Sequence, residues 1–205
     1  MSPQPAGTSV VEWGWAGQAL DERSGDLHVV VGFPGGCLVA LLDGLGHGPE
    51  AAAASMTAAP LLEGHAGESV LSLVQRCHDG LRKTRGVVMS LASFRASDSS
   101  MTWIGVGNVD GVLLRARSLP GRSDEAIVVR SGVVGYQLPP LRAQTLLVSP
   151  GDTLIMVTDG IRSGFTAAII KGRPAQETAD SILSRFVKGT DDAHVVVARY
   201  LGAGP

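Results

Sequence analysis

Apolar runs in this chain are short, rich in β-branched residues and broken by glycine, and polar residues alternate through several of them. That pattern predicts strands over residues 9–16, 27–32, 37–42, 86–95, 101–107, 111–117, 126–130, 153–158 and 194–201. Between them stand GFPGG, SDSS, NVDG and LPGRSDE, whose residues suit tight turns, so the sheets are expected to be mostly antiparallel. Two stretches follow a helical period instead. The first covers about residues 49–84 with a break near EGHAG, and there Val70, Leu73, Val74, Cys77 and Leu81 oppose Glu68, Arg76, Asp79 and Arg82. The second covers about residues 175–187, where Ala179, Ile182, Leu183 and Phe186 oppose Asp180, Ser184 and Arg185. A helix with one apolar face needs a surface to cover, so the pattern predicts an α+β fold of packed sheets flanked by helices.

Composition narrows the class. With 205 residues, 44% hydrophobic and 18% charged, the chain can bury one sizeable core, and a single domain over residues 1–205 is expected, with no sensor domain and no lid subdomain. The net charge of −2 and scattered Lys and Arg residues give no field for a polyanion, so nucleic acid is not an expected partner. Every apolar run breaks well before the roughly 20 residues of a membrane span, and the first residues show no targeting pattern. The expectation is a cytoplasmic monomer that does not attach to a membrane. Cys37 and Cys77 fall within apolar patterns and read as reduced core residues.

Acidic residues at strand ends add candidate chemistry. The apolar run LVALL ends on Asp43-Gly44, and LIMVT ends on Asp159-Gly160; Asp26 opens one strand, and Asp191 and Asp192 open another. Taken singly, each reads as a turn residue. Together, carboxylates at the mouths of buried strands would repel one another unless a cation neutralises them, and hard divalent ions suit such oxygen donors. The five histidines and two cysteines form no zinc pattern.

In this order and with these separations, RSGD, LLDGLGHGPEAAAAS, PGDTLIMVTDGIRSG and TDDAHVVVARYL resemble the metal-dependent serine/threonine protein phosphatases of the PP2C (PPM) superfamily, in its SpoIIE/RsbX-like bacterial branch. The resemblance covers nearly the whole chain and implies a β-sandwich with helices on both outer faces, in αββα layers. It implies two divalent cations, Mn²⁺ or Mg²⁺, that activate water for attack on a phosphoserine or phosphothreonine ester. Asp43 would bridge the two ions, with the Gly44 carbonyl as a further ligand. Asp26 would hold the first ion directly or through water, and Asp159 and Asp191 would hold the second. Asp192 is the less favoured of its pair, because the family's ligand is the first acid there.

The remaining roles are weighed against plain structural ones. His47 could protonate the leaving alkoxide, though shaping its loop is the favoured role. Arg23 could bind the incoming phosphate, with a plain surface role as the alternative. Asn108 is read as a turn former, and His65, His78 and His194 as structural or surface residues. Gly44 is expected to let the backbone turn toward a metal, and Gly46 and Gly48 to keep the loop clear of side chains. Pro49 suits the first helical position. The implied substrate is a phosphorylated stressosome scaffold or anti-sigma antagonist protein of the STAS type. A small-molecule phosphoesterase and a non-catalytic phosphoprotein-binding module on the same fold remain open.

Overall fold

The computed structural model describes residues 10–117 and 123–202. Its strands are β1 (Val11–Gln18), β2 (Asp26–Phe33), β3 (Gly36–Gly44), β4 (Val87–Arg95), β5 (Ser100–Val106), β6 (Asp110–Leu114), β7 (Glu125–Ala126), β8 (Gln144–Leu147), β9 (Thr153–Val157) and β10 (Ala193–Tyr200). The α-helices are α1 (Pro49–Glu63), α2 (Val70–Gly80) and α3 (Ala175–Phe186). The strands form two sheets, one ordered β1-β10-β9-β6-β7 and the other β2-β3-β4-β5-β8, with every pairing between strands antiparallel.

Side-chain alternation builds three apolar layers from these two sheets. Val39 and Leu41 of β3, Phe94 of β4, Trp103 of β5, Met156 of β9 and Val196 of β10 meet in the core between the sheets. The opposite faces of β2, β3 and β4 pack under α1 and α2 through Leu38, Leu42, Leu62, Leu73 and Leu91. On the other side, Ile155, Val195 and Val197 pack under Ala175, Ala179 and Ile182 of α3. The order is helices, sheet, sheet, helix, as the αββα expectation requires.

The helix termini follow local chemistry. Gly48 precedes α1 and Pro49 begins it, while Ser69 caps α2 by accepting from the Ser72 amide at 3.1 Å. The alanine-rich turn of α1 lies so close to β3 that a Cβ on Gly44 would sit 2.1 Å from the Ala51 carbonyl oxygen. Gly44 is not among the positive-φ glycines, so close packing, rather than a special turn, demands it. Gly46 and Gly48 do take positive φ, at 85° and 79°.

Several sequence expectations are corrected. NVDG is not a hairpin: it carries the chain from β5 in one sheet to β6 in the other. The strand expected over residues 126–130 shrinks to β7, followed by an isolated bridge between Arg130 and Val106. The one expected over residues 111–117 ends at Leu114, because Arg115 turns inward to pair with Asp152 at 2.9 Å and with Glu125. β8 and a 3-10 turn over Phe165–Ala168 were not foreseen. Part of LPGRSDE lies outside the described residues. Cys37 and Cys77 are buried free thiols, each pushed up to about 12 by burial. No helix among the described residues is long and apolar enough to cross a membrane.

Candidate metal centre

The hairpin register places Asp26, the first residue of β2, directly opposite Asp43 near the end of β3. In the other sheet, β9 and β10 run antiparallel, so Asp159 just after β9 and Asp191 and Asp192 just before β10 lie at the same end. Both sheets deliver their acids to one end of the sandwich. A cleft of about 410 Å³ opens there, lined by Asp43, Asp159, Asp191, Asn108, Leu45 and Gly46 among others.

Hydrogen bonds tie the two halves together. Thr158, buried at the end of β9, donates to Asp26 Oδ2 at 2.8 Å and accepts from the His194 amide at 2.8 Å. Asn108 Nδ2 donates to Asp159 Oδ2 at 2.8 Å. Asp192 accepts from the Leu20 amide at 2.8 Å and the Gly25 amide at 2.7 Å, which pins the β1–β2 loop beneath the cleft. Its neighbour Asp191 is exposed to the cleft and accepts from the Asp192 amide at 2.9 Å. The adjacent acids therefore do different work, one facing the cleft and one holding a loop.

Burial and mutual repulsion set the electrostatics. Asp43 is pushed up to about 8, first by burial and then by the charges of Asp26, Asp159, Asp191 and Asp192. Asp26 rises to about 7, mainly through burial, with the Thr158 hydroxyl opposing the shift and the neighbouring acids adding to it. Asp159 is raised as well, by burial and then Asp191, while Lys188 and the Asn108 amide pull it back. For Asp26 and Asp43 no cation opposes the shift, and for Asp159 the attraction of Lys188 does not outweigh it.

The donor set fits hard divalent cations. It consists of oxygen atoms, it carries several negative charges, and Asp26 is only 6% exposed with a neutral hydroxyl beside it. Among the described residues no three His, Cys, Asp or Glu side chains converge tightly enough to enclose one ion. An ion here would draw the carboxylates closer together and complete its shell with water.

The structure places the other expected residues around this cleft. His47 Nδ1 meets Asp21 Oδ2 at 3.0 Å on the exposed side of the Gly46–Gly48 loop, and His47 does not line the cleft. Arg23 is exposed in the loop that leads to β2. His78 accepts from the Gly135 amide at 3.0 Å, and His65 Nδ1, just beyond α1, lies 3.0 Å from the Leu61 carbonyl in the last turn of that helix. His194 is buried, 2.9 Å from His28 and stacked on Trp15, and desolvation pushes it down to about 3.

Sequence reading missed Thr158, the Asp159 contact of Asn108, and Arg85. Arg85 pairs with Glu50 in the first turn of α1 and lies over the loop, 3.0 Å from where a Cβ of Gly46 would be. Of these, only Asn108 carried a signal, its place in a glycine-flanked turn.

Known proteins resemble this chain in sequence and in fold. The family model for Stage II sporulation protein E (SpoIIE) matches residues 34–201. The phosphoserine phosphatase RsbX of Bacillus subtilis (strain 168) is 26% identical over 163 residues, covering 79% of this chain and 80% of that protein. A solved chain described under "The bacterial stressosome: a modular system that has been adapted to control secondary messenger signaling" is 28% identical with a TM-score of 0.84, covering 92% of this chain and 99% of its own. A crystal structure of RsbX in complex with magnesium superposes with a TM-score of 0.81 at 22% identity, covering 93% of this chain and 95% of its own.

Proposed function

This chain belongs to the SpoIIE family, and from that membership we propose that it is a metal-dependent protein serine/threonine phosphatase acting on a bacterial signalling partner. The observation that carries the reading is the meeting of Asp43 from one sheet with Asp159 and Asp191 from the other at a single cleft, with Asp26 buried directly opposite Asp43.

Two Mn²⁺ or Mg²⁺ ions, when bound, supply Lewis acidity and an activated nucleophile for hydrolysis of the phosphate ester. Asp43 is assigned to both ions, Asp26 and the Gly44 carbonyl to the first, and Asp159 and Asp191 to the second. Thr158 orients Asp26 through its 2.8 Å hydrogen bond. Asp192 is left out of the ligand set, because both of its oxygens accept from loop amides. Arg23, three residues ahead of Asp26, and Arg85, beside Gly46, are the cations assigned to the incoming phosphate. His47 is assigned to shaping the loop with Asp21.

The proposed substrate is phosphoserine or phosphothreonine on a STAS-type stressosome scaffold or anti-sigma antagonist. Support comes from the relative that is a phosphoserine phosphatase and from the solved chain described with the stressosome. Phosphate release from a phosphoserine STAS protein tests the reading. Activity with Mn²⁺ that disappears with chelator supports it; equal release with and without chelator overturns it.

A further inference from the structure

Resting on the two-cation reading above, we propose that Asn108 is a positioning residue for the second cation, its carboxamide fixing the Asp159 carboxylate in the orientation that the ion requires. The contact is direct, Nδ2 to Oδ2 at 2.8 Å, and Asn108 itself lines the cleft.

The turn does not need an asparagine. Gly107 carries the positive φ, at 104°, and a Cβ there would lie 2.2 Å from Val88 Cβ. Among the described non-glycine residues only Ser99 has positive φ, so Asn108 is not taking up a left-handed conformation. The Gly107 amide is anchored to the Arg130 carbonyl at 2.8 Å, and the Val109 carbonyl accepts from Ser90 Oγ at 2.8 Å. With both neighbours pinned, the exposed Asn108 side chain is left to reach Asp159.

Its chemistry suits that task. Asp159 is subject to the repulsion of Asp191 and Asp110 and to the attraction of Lys188. An amide donor engages Oδ2 without adding a charge of its own, which leaves Oδ1 for the ion. A carboxylate in the same place would repel Asp159, and an apolar residue would release it toward Lys188. Outer groups that orient a ligand in this way commonly set metal affinity.

Calorimetric titration of the full chain with Mn²⁺ tests the proposal. Asn108→Ala and Asn108→Leu are expected to weaken one of the Mn²⁺ steps about 10- to 100-fold, with the metal-free melting temperature unchanged. Asn108→Ala added to Asp159→Asn should change Mn²⁺ affinity no further, because the amide acts through that carboxylate. Wild-type isotherms in both single variants, or a full additional loss in the double variant, would overturn the proposal alone. A wild-type chain that takes up no Mn²⁺ would overturn it together with the reading on which it rests.

Discussion

Replacing Asp43 by asparagine should make the metal-free protein far less sensitive to alkaline pH. An aspartate that titrates at 3.8 in the unfolded chain and at about 8 in the fold binds more protons folded than unfolded. The stability associated with that proton is fully present below the unfolded pKa and is lost as pH rises through the folded one. Between pH 5 and pH 9 the shift integrates to about 4 kcal/mol, a ceiling for this one group. For a chain of this size that corresponds to roughly 8–16 °C in melting temperature. At pH 5 the side chain is protonated, so an amide of the same shape replaces it at little cost. Thermal melts in chelator at the two pH values would therefore nearly coincide at pH 5 for wild type and Asp43→Asn, and diverge at pH 9 in favour of the variant. Saturating Mn²⁺ should reverse the order at pH 9, because only the wild type retains the carboxylate assigned to both ions. Melting curves that shift in parallel with pH, with and without Asp43, would refute the claim that this carboxylate is held uncompensated in the fold.

Two further substitutions separate roles at the cleft. Asp191→Asn should weaken Mn²⁺ binding in a calorimetric titration while leaving the metal-free melting temperature in place; Asp192→Asn should instead lower that melting temperature, by the equivalent of about 1–3 kcal/mol, since it breaks a charge-assisted contact to the β1–β2 loop. The reverse pattern would show that the two acids had been exchanged. His47→Ala should slow hydrolysis of phosphoserine and of p-nitrophenyl phosphate alike; a loss of about 10²- to 10⁴-fold confined to phosphoserine would instead mark it as the general acid.

Much of this architecture was legible because burial leaves a periodic trace. The sandwich follows from runs such as those ending on Asp43 and Asp159, and the hairpin turn GFPGG fixes the Asp26–Asp43 pairing once the strands on either side are assigned. The two edge elements were harder. β8 pairs with β5 on one side only and keeps its residues largely exposed, so it carries no strong alternation. β7 consists of two residues. The turn NVDG looked like a hairpin because its residues satisfy turn chemistry equally well when the chain changes sheets. Gly44 was read through backbone freedom, whereas its requirement comes from Ala51 on α1, a contact between elements that no local pattern encodes. Thr158 was invisible for the same reason, since its two partners lie 132 and 36 residues away along the chain.

The central claim is that carboxylates from both sheets hold two cations at one end of the sandwich. Anomalous scattering from crystals grown with Mn²⁺ tests it most directly. The account predicts two manganese peaks in the cleft, one against Asp26 and Asp43 and the other against Asp43, Asp159 and Asp191, with Asp192 touching neither. A cleft free of manganese, or manganese bound only away from these four aspartates, would contradict it.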